Sequence, residues 1–328
     1  MSPTSHDVAR LAGVDRSTVS LVLNDPQTRR VGSETKRRVL AAVSELGYSP
    51  NGAARQLRSG SSRVLLMPFW SLPFGPNFDG WIEGMGEACE RHGLIMLVHG
   101  SRTARGAAGA RVWASMRPDI FVTDAGRLDA ESVAILRNSG TRAVLTLGAS
   151  DLEDVRPLVF DLGVPGRLAA RRLIEIGVSE LVALAPTDPQ LVGLARVRAE
   201  GFLEAAGDAG FDPQVLWVSP DGTELKEWVA SLPATGGSTG VFAYNDQYAM
   251  QLLEAARDAG VDVPGRLAVI GVDNLPSGAT SVPPLTTLSY RPPEFGASVV
   301  EAAIAIADGA TDVQLPQFDF RMTVRESA

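Results

Sequence analysis

The chain has 328 residues, 45% of them hydrophobic and 21% charged, the proportions of a folded globular protein large enough for two or three domains. One cysteine (Cys89) and three scattered histidines (His6, His92, His99) exclude an internal disulfide framework and make a poor metal-ligand set, so no cofactor is expected. No apolar run approaches the ~20 residues needed to cross a bilayer. Residues Met1 to Asp7 lack a basic flank and an apolar core, so the expected location is the cytoplasm, with no membrane partner.

The net charge of −8 is an average over two unlike regions. Residues 1–60 carry nine Arg or Lys and five Asp or Glu, a balance of +4, which leaves −12 for the remainder. A basic head on an acidic body predicts a polyanionic partner for the head alone.

In chain order, Val8, Ala9, Leu11 and Ala12 form one helical stripe, and Gly13 breaks it where a tight turn between helices needs a residue free to turn left-handed. A second helix from Asp15 or Arg16 to Leu23 turns Val19, Val22 and Leu23 inward and ends at Asn24-Asp25-Pro26. A third runs from Ser33, its expected cap, to Leu46, and stops at Gly47. Pro50 opens a short segment, Asn51 to Leu57 or Arg58, of about two turns, too short to be stable in water unless held. From residue 63 the pattern changes. Apolar runs at 64–67, 94–98, 120–122, 144–147 and 158–160 alternate with helical periodicity, and a second series follows at 181–184, 215–218, 241–244 and 267–272, with helices near 193–209, 223–231 and 246–259. Such alternation predicts parallel sheets covered by helices on both faces. The fold class is therefore α/β, two doubly wound parallel-sheet subdomains preceded by a small all-α domain, with one ligand crevice between the carboxyl ends of opposed strands. Strand-sized 287–289, a helix near 293–308 and a strand at 318–322 complete the sheets by crossing back.

The string Asp7-Val8-Ala9-Arg10-Leu11-Ala12-Gly13-Val14-Asp15-Arg16-Ser17-Thr18-Val19-Ser20 resembles the helix-turn-helix of the lactose-repressor (LacI/GalR) family. Val22-Leu23-Asn24, Glu34 to Val39, Leu46-Gly47-Tyr48-Ser49-Pro50-Asn51 and Ala54-Arg55-Gln56-Leu57 are similar to that family's text in the same order. The resemblance implies operator DNA as partner and a recognition helix whose polar edge meets bases in the major groove. Arg16, Ser17 and Ser20 are the candidates for that edge. Arg16 either forks onto a guanine or reaches a phosphate. Thr4, Thr18, Asn24 and Thr35 are candidates for backbone contacts, with helix capping the other reading of Thr18 and Thr35. Asn51 to Leu57 resembles the family's hinge helix, in which Leu57 wedges into a minor-groove base step beside Ala54; resting on the body is the alternative. Leu21 and Gly52 depart from the family's text.

The body continues the resemblance more loosely and implies a periplasmic-binding-protein-like receptor. Gly75-Pro76-Asn77-Phe78, Val159-Phe160-Asp161, Arg196 to Phe202, Val241 to Asp246, Val269 to Asn274 and Pro283 to Leu288 match the family's strand ends and crossings, Gly75 and Asn77 departing from it. Phe78, Asp161, Arg198, Asn245, Asp273 and Tyr290 are the candidate effector contacts. Asp, Asn and Arg supply acceptors and donors for hydroxyls, and Phe78 supplies a stacking face. Asp161 and Asp246 could instead cap helices, Arg198 could pair with Glu200 or Asp161, and Phe78 and Tyr290 could be core. Trp70, Trp81 and Trp217 are further candidates for the lining.

The expected organisation is a helix-turn-helix domain at 1–49, a hinge at 50–62, and an effector-binding and dimerisation domain at 63–328. Within this third region the N-subdomain takes 63–178 and 290–316, and the C-subdomain takes 179–289 and 317–328. The expected function is a dimeric, non-enzymatic repressor of a palindromic operator, switched by a sugar or other small metabolite. Corepression of purine type is the alternative. An enzyme is less favoured because nucleotide-loop and nucleophile-elbow motifs are missing, and a sugar-binding transport protein because it would require export and would not begin with a DNA-reading head.

Overall fold

The computed structural model describes residues 3–24, 28, 30–48, 61–68, 76–101, 103–233, 236–314 and 317–328, the side chains of Asn24 and Pro76 apart. The chain forms two compact units, residues 1–63 and 64–328. No helix among the described residues is long and apolar enough to cross a membrane.

The first unit holds three helices, α1 (Ser5–Ala12), α2 (Arg16–Asn24) and α3 (Ser33–Leu46). Their apolar stripes share a core of Val8, Ala9, Ala12, Val19, Val22, Val39 and Ala42. Gly13, at φ +63°, ends α1 in the left-handed conformation that turns the chain toward α2, and Gly47, at φ +58°, ends α3 the same way. Two details differ from the sequence reading. Leu11 is exposed rather than inward, because the packed stripe is Val8, Ala9 and Ala12. Ser33 is the first helical residue, and the cap position belongs to Gly32, whose missing side chain leaves no capping bond.

The second unit contains two sheets. In the first, β1 (Val64–Pro68), β2 (Ile95–His99), β3 (Ile120–Asp124), β4 (Ala143–Leu147) and β5 (Arg156–Leu158) lie in the order β2-β1-β3-β4-β5, every pair parallel. Successive side chains face opposite sides, and both sides are buried in β1, β3 and β4, whereas the edge strand β2 leaves Ile95 and Leu97 exposed. Leu65, Met67, Ile120 and Val122 pack under α4 (Pro76–Arg91) and α12 (Pro292–Ala307). Leu66, Phe121 and Val144 pack with Trp113 of α5 (Gly106–Ser115) and Leu136 of α6 (Ala130–Asn138). Each such fully buried side chain contributes about 1.5–3 kcal/mol.

The second sheet takes β6 (Glu180–Pro186), β7 (Gln214–Val218), β8 (Thr239–Ala243), β9 (Leu267–Val272), β10 (Thr286–Ser289) and β11 (Arg321–Thr323) in the order β11-β10-β9-β8-β6-β7. Only β11 is antiparallel, to β10. One face packs on α9 (Thr223–Ser231) and α10 (Asp246–Asp258), the other on α7 (Val164–Glu175) and α8 (Val192–Asp208). Helix α7 departs from the expected division at residue 178. Its Ala169, Ala170 and Leu173 are buried with Phe202 and Phe242, so it belongs to the second lobe. Strand β5 ends at Leu158 rather than continuing to Phe160. Phe160 turns instead into a ring cluster, 5.1 Å from Phe295 and 5.1 Å from Phe318 by centroids, and Tyr290 joins it 4.7 Å from Phe318. Phe160, Tyr290 and Phe318 lie on the three connections that run between the lobes. A short helix, α11 (Pro276–Ala279), follows β9.

Candidate functional site

In the first unit, α2 begins with Arg16 and Ser17, both exposed, while Thr18 and Ser20 are half-buried. A helix that opens on an exposed arginine and hydroxyl, with Val19 and Val22 buried behind, presents short donors on one edge. Thr4 is the cap of α1. Its hydroxyl donates to Asp7 at 2.7 Å and the Asp7 amide returns to Thr4 at 3.4 Å, a reciprocal box that holds the Asp7 carboxyl below the usual carboxylate range. Thr35 lies half-buried in the first turn of α3. Asn51, Ala54 and Leu57 lie outside the described residues, as do Trp70, Gly75 and the Asn24 side chain.

In the second unit, a cavity of about 470 Å³ opens between the lobes at the carboxyl ends of the strands. The first lobe contributes Asn77, Phe78 and Trp81 from α4; the second contributes Arg198 from α8, Tyr244 and Asn245 after β8, and Asp273 after β9. Tyr290, Phe318 and Phe320 enter from the connections. Five of the six candidate effector residues, Phe78, Arg198, Asn245, Asp273 and Tyr290, therefore line one cavity. Asp161 does not line it. Its carboxylate accepts from the Gly163 amide at 3.0 Å and pairs with Arg167, with 56% of the side chain exposed.

Local bonds aim these groups. The Asn77 amide donates to Asp273 at 2.7 Å, linking the two lobes. Arg198 is buried and pairs with neither Glu200 nor Asp161. It donates to the Tyr244 carbonyl at 2.7 Å and lies over the Tyr244 ring at 5.0 Å, a cation–π contact. Asn245 has two uses, lining the cavity and capping α10 by accepting from the Tyr248 amide at 3.1 Å. Burial pushes the Asp273 carboxyl above its ordinary value, against the opposing pull of the Arg198 charge and the Asn77 bond. Burial likewise raises the phenols of Tyr244 and Tyr290, which stay neutral and keep their donors near neutral pH. Aromatic faces beside planar donors and acceptors suit a small, polar, ring-shaped ligand.

Residues 4–51 match the profile of "Bacterial regulatory proteins, lacI family", and residues 170–328 that of "Periplasmic binding protein-like domain". The chain is 28% identical over 305 residues to the HTH-type transcriptional repressor PurR of Photobacterium profundum, covering 91% of this chain and 90% of that one. The chain carries a lacI-family head.

That head, joined to a periplasmic-binding-protein-like body, is the arrangement of a DNA-binding transcription regulator. Its fold matches that of the lac repressor dimer bound to operator and the anti-inducer ONPF, with a TM-score of 0.76 at 23% identity over 100% of this chain and 99% of that one. The transcriptional regulator CelR in complex with cellobiose matches with a TM-score of 0.64 at 24% identity, over 99% and 100%.

Several cavity residues carry no mark in the sequence. Asp188 and Gln190 follow β6, and Gln247 and Tyr248 follow Asn245. The signal that marks Asn245 and Asp273, a polar residue just beyond an apolar strand, would have found the first pair. The sequence shows Asn77 only as a departure from the family's text, and its bond to Asp273 gives it a partner. Trp81 lines the cavity, whereas Trp217 is not among its lining residues and lies under the Arg196 guanidinium at 5.3 Å. Among the described residues no group of three His, Cys, Asp or Glu is placed to hold a metal ion.

Proposed function

We propose that the chain is a lacI-family regulator, a non-enzymatic repressor that binds a palindromic operator as a dimer and is released from it by a sugar. One observation carries the reading of the body: a cavity in which Arg198, Asn245 and Asp273 of one lobe face Asn77 and Phe78 of the other. Hydroxyls of a sugar ring would pair with the carboxylate, amide and guanidinium groups, and its apolar face would lie on Phe78 or Trp81. The solved relative that holds cellobiose has the same fold and supports this class of ligand. In the head, Arg16, Ser17 and Ser20 read base edges, Thr4, Thr18, Asn24 and Thr35 set register on the backbone, and Asn51, Ala54 and Leu57 form the hinge contact.

Dimer formation is supported by the first sheet, where the edge strand β2 leaves Ile95 62% and Leu97 37% exposed. Switching requires that the ligand bind one arrangement of the lobes more tightly than the other, since equal affinity shifts nothing. A second reading, corepression by a nucleobase, is favoured by the relatives named PurR.

The test is binding to a palindromic duplex followed by fluorescence anisotropy at several salt concentrations, with sugars and nucleobases added in turn. Release by a sugar that is recovered unaltered supports the proposal, and tightening by a nucleobase supports the second reading. DNA affinity unchanged within about a factor of two across the panel would overturn the switch.

A further inference from the structure

The turn that carries Asp273 into the cleft is held by residues that do not line it. Asp273 and Asn274 have φ of +108° and +51°, backbone that side-chain-bearing residues rarely adopt and that needs restraint from its surroundings. The Leu275 amide donates to Asp246 Oδ2 at 2.7 Å. The Asn274 amide donates to Thr287 Oγ1 at 3.3 Å, and that hydroxyl donates in turn to Asp246 Oδ1 at 2.5 Å. Arg325 donates to Asn274 Oδ1 at 2.7 Å and to the Leu285 carbonyl at 2.6 Å. Asp246 is completely buried, the first residue of α10. It presses so closely on β9 that a Cβ at Gly271 would lie 2.3 Å from its Oδ1.

We propose that Asp246 is a positioning residue for ligand recognition, setting the place of Asp273 in the cleft by clamping the turn 273–275 from behind. The proposal rests on reading the cleft as a ligand site, but the clamp itself exists without a ligand. Two charged groups face Asp246: Asp273, after β9, opposes its ionisation, and Arg325, beyond β11, favours it. The Thr287 hydroxyl and Leu275 amide also favour the carboxylate. Burial outweighs them, and the group titrates at about 6. Ionised, Asp246 accepts two charge-assisted bonds; protonated, it turns one oxygen into a donor and holds the turn less firmly.

The experiment is hydrogen–deuterium exchange of the full-length chain, read on peptides spanning 272–276 and corrected for intrinsic exchange. It compares the wild type, Asp246→Asn and Thr287→Val at about pH 5 and pH 7.5. No ligand is added, so the outcome is independent of whether a sugar or nucleobase ever binds. At pH 7.5 Asp246→Asn is expected to lose about tenfold or more of the protection at Leu275, while peptides from β8 keep theirs. In the wild type the protection of the turn relative to β8 is expected to fall several-fold between pH 7.5 and 5, a dependence Asp246→Asn lacks. The turn's bonds favour the carboxylate, even though burial makes the fold as a whole favour the proton. Thr287→Val is expected to loosen the Asn274 amide. Unchanged protection of the turn in Asp246→Asn, or an equal loss throughout the receptor, would overturn the clamp. Should Asp246→Asn fail to fold, a flat wild-type pH profile together with an undisturbed Asn274 in Thr287→Val would overturn it equally.

Discussion

Asn77 of the first lobe and Asp273 of the second are joined by a 2.7 Å hydrogen bond across the cleft. A ligand that seats itself between them must either share this bond or replace it. The two residues thus report the separation of the lobes as well as line the wall.

If Asp273 and Arg198 grip the effector, Asp273→Asn and Arg198→Ala should each weaken its binding by about 10- to 100-fold, as expected for a lost hydrogen bond to a charged group. Operator affinity measured without effector should stay within about twofold. Isothermal titration with the effector, paired with anisotropy on the duplex, checks both halves. Effector affinity unchanged in both variants would remove these residues from the site.

In the head, Arg16→Ala should reduce operator affinity by about 1–3 kcal/mol and relax the preference for one base pair if the side chain forks onto a guanine. A uniform loss across sequences with a smaller salt slope would assign Arg16 to a phosphate instead. Anisotropy on a set of singly substituted operators decides between the two.

The buried Asp246 makes a prediction about pH. Its carboxyl, raised from 3.8 to about 6, binds a proton more tightly in the folded chain than in the unfolded one. Between those values stability therefore falls as pH rises; the contribution is complete below about 4 and gone above about 6. That difference corresponds to about 3 kcal/mol, and Asp273 adds a change of the same sign. Denaturant midpoints from about pH 4 to 7 should show a shallower decline in Asp246→Asn than in the wild type. Identical slopes would count against the burial of this charge.

Helices α4 and α12 approach backbone to backbone at two glycines. A Cβ at Gly84 would lie 1.9 Å from the Pro293 carbonyl oxygen, and one at Gly296 would lie 2.3 Å from that of Trp81. Gly84→Ala must push α12 away and disturb the stacking of Trp81 on Phe295, now 5.4 Å between centroids. The expected result is a loss of about 1–3 kcal/mol in thermal or denaturant unfolding, with weaker effector binding through Trp81. Gly86, with nothing near its Cβ, is the control, and Gly86→Ala should be close to neutral.

Ile95→Glu with Leu97→Glu should convert the expected dimer to a monomer. Both side chains are exposed on an edge strand, where charge blocks pairing with a second sheet. Sedimentation velocity at micromolar concentration reads the outcome, and an unaltered dimer would place the interface elsewhere.

How far the sequence could be read depended on whether the deciding contact was local. Leu267–Val272 announces itself as a strand because six consecutive apolar residues need burial on both faces, and all six are buried. Phe160 misleads for the same reason. It extends an apolar run, yet its partners Phe295 and Phe318 are more than a hundred residues away. Asp161 and Asp273 look alike in sequence, each an aspartate beyond an apolar stretch. Arg167, six residues on, draws Asp161 aside, whereas Asp273 finds Asn77 at a separation of 196 residues. Phe318 and Phe320 reach the cavity from the far end of the chain, and no nearby pattern marks them.

The ring cluster of Phe160, Tyr290 and Phe318 sits where all three connections pass, and two of its members also face the cavity. Edge-on and tilted rings hold one another by contact area rather than by directed bonds, so they can slip by fractions of an ångström at little cost while staying in touch. A molecule seated in the cleft would rest against Tyr290 and Phe318, so the expected consequence is that its shape is felt directly by the connections between the two halves of the receptor.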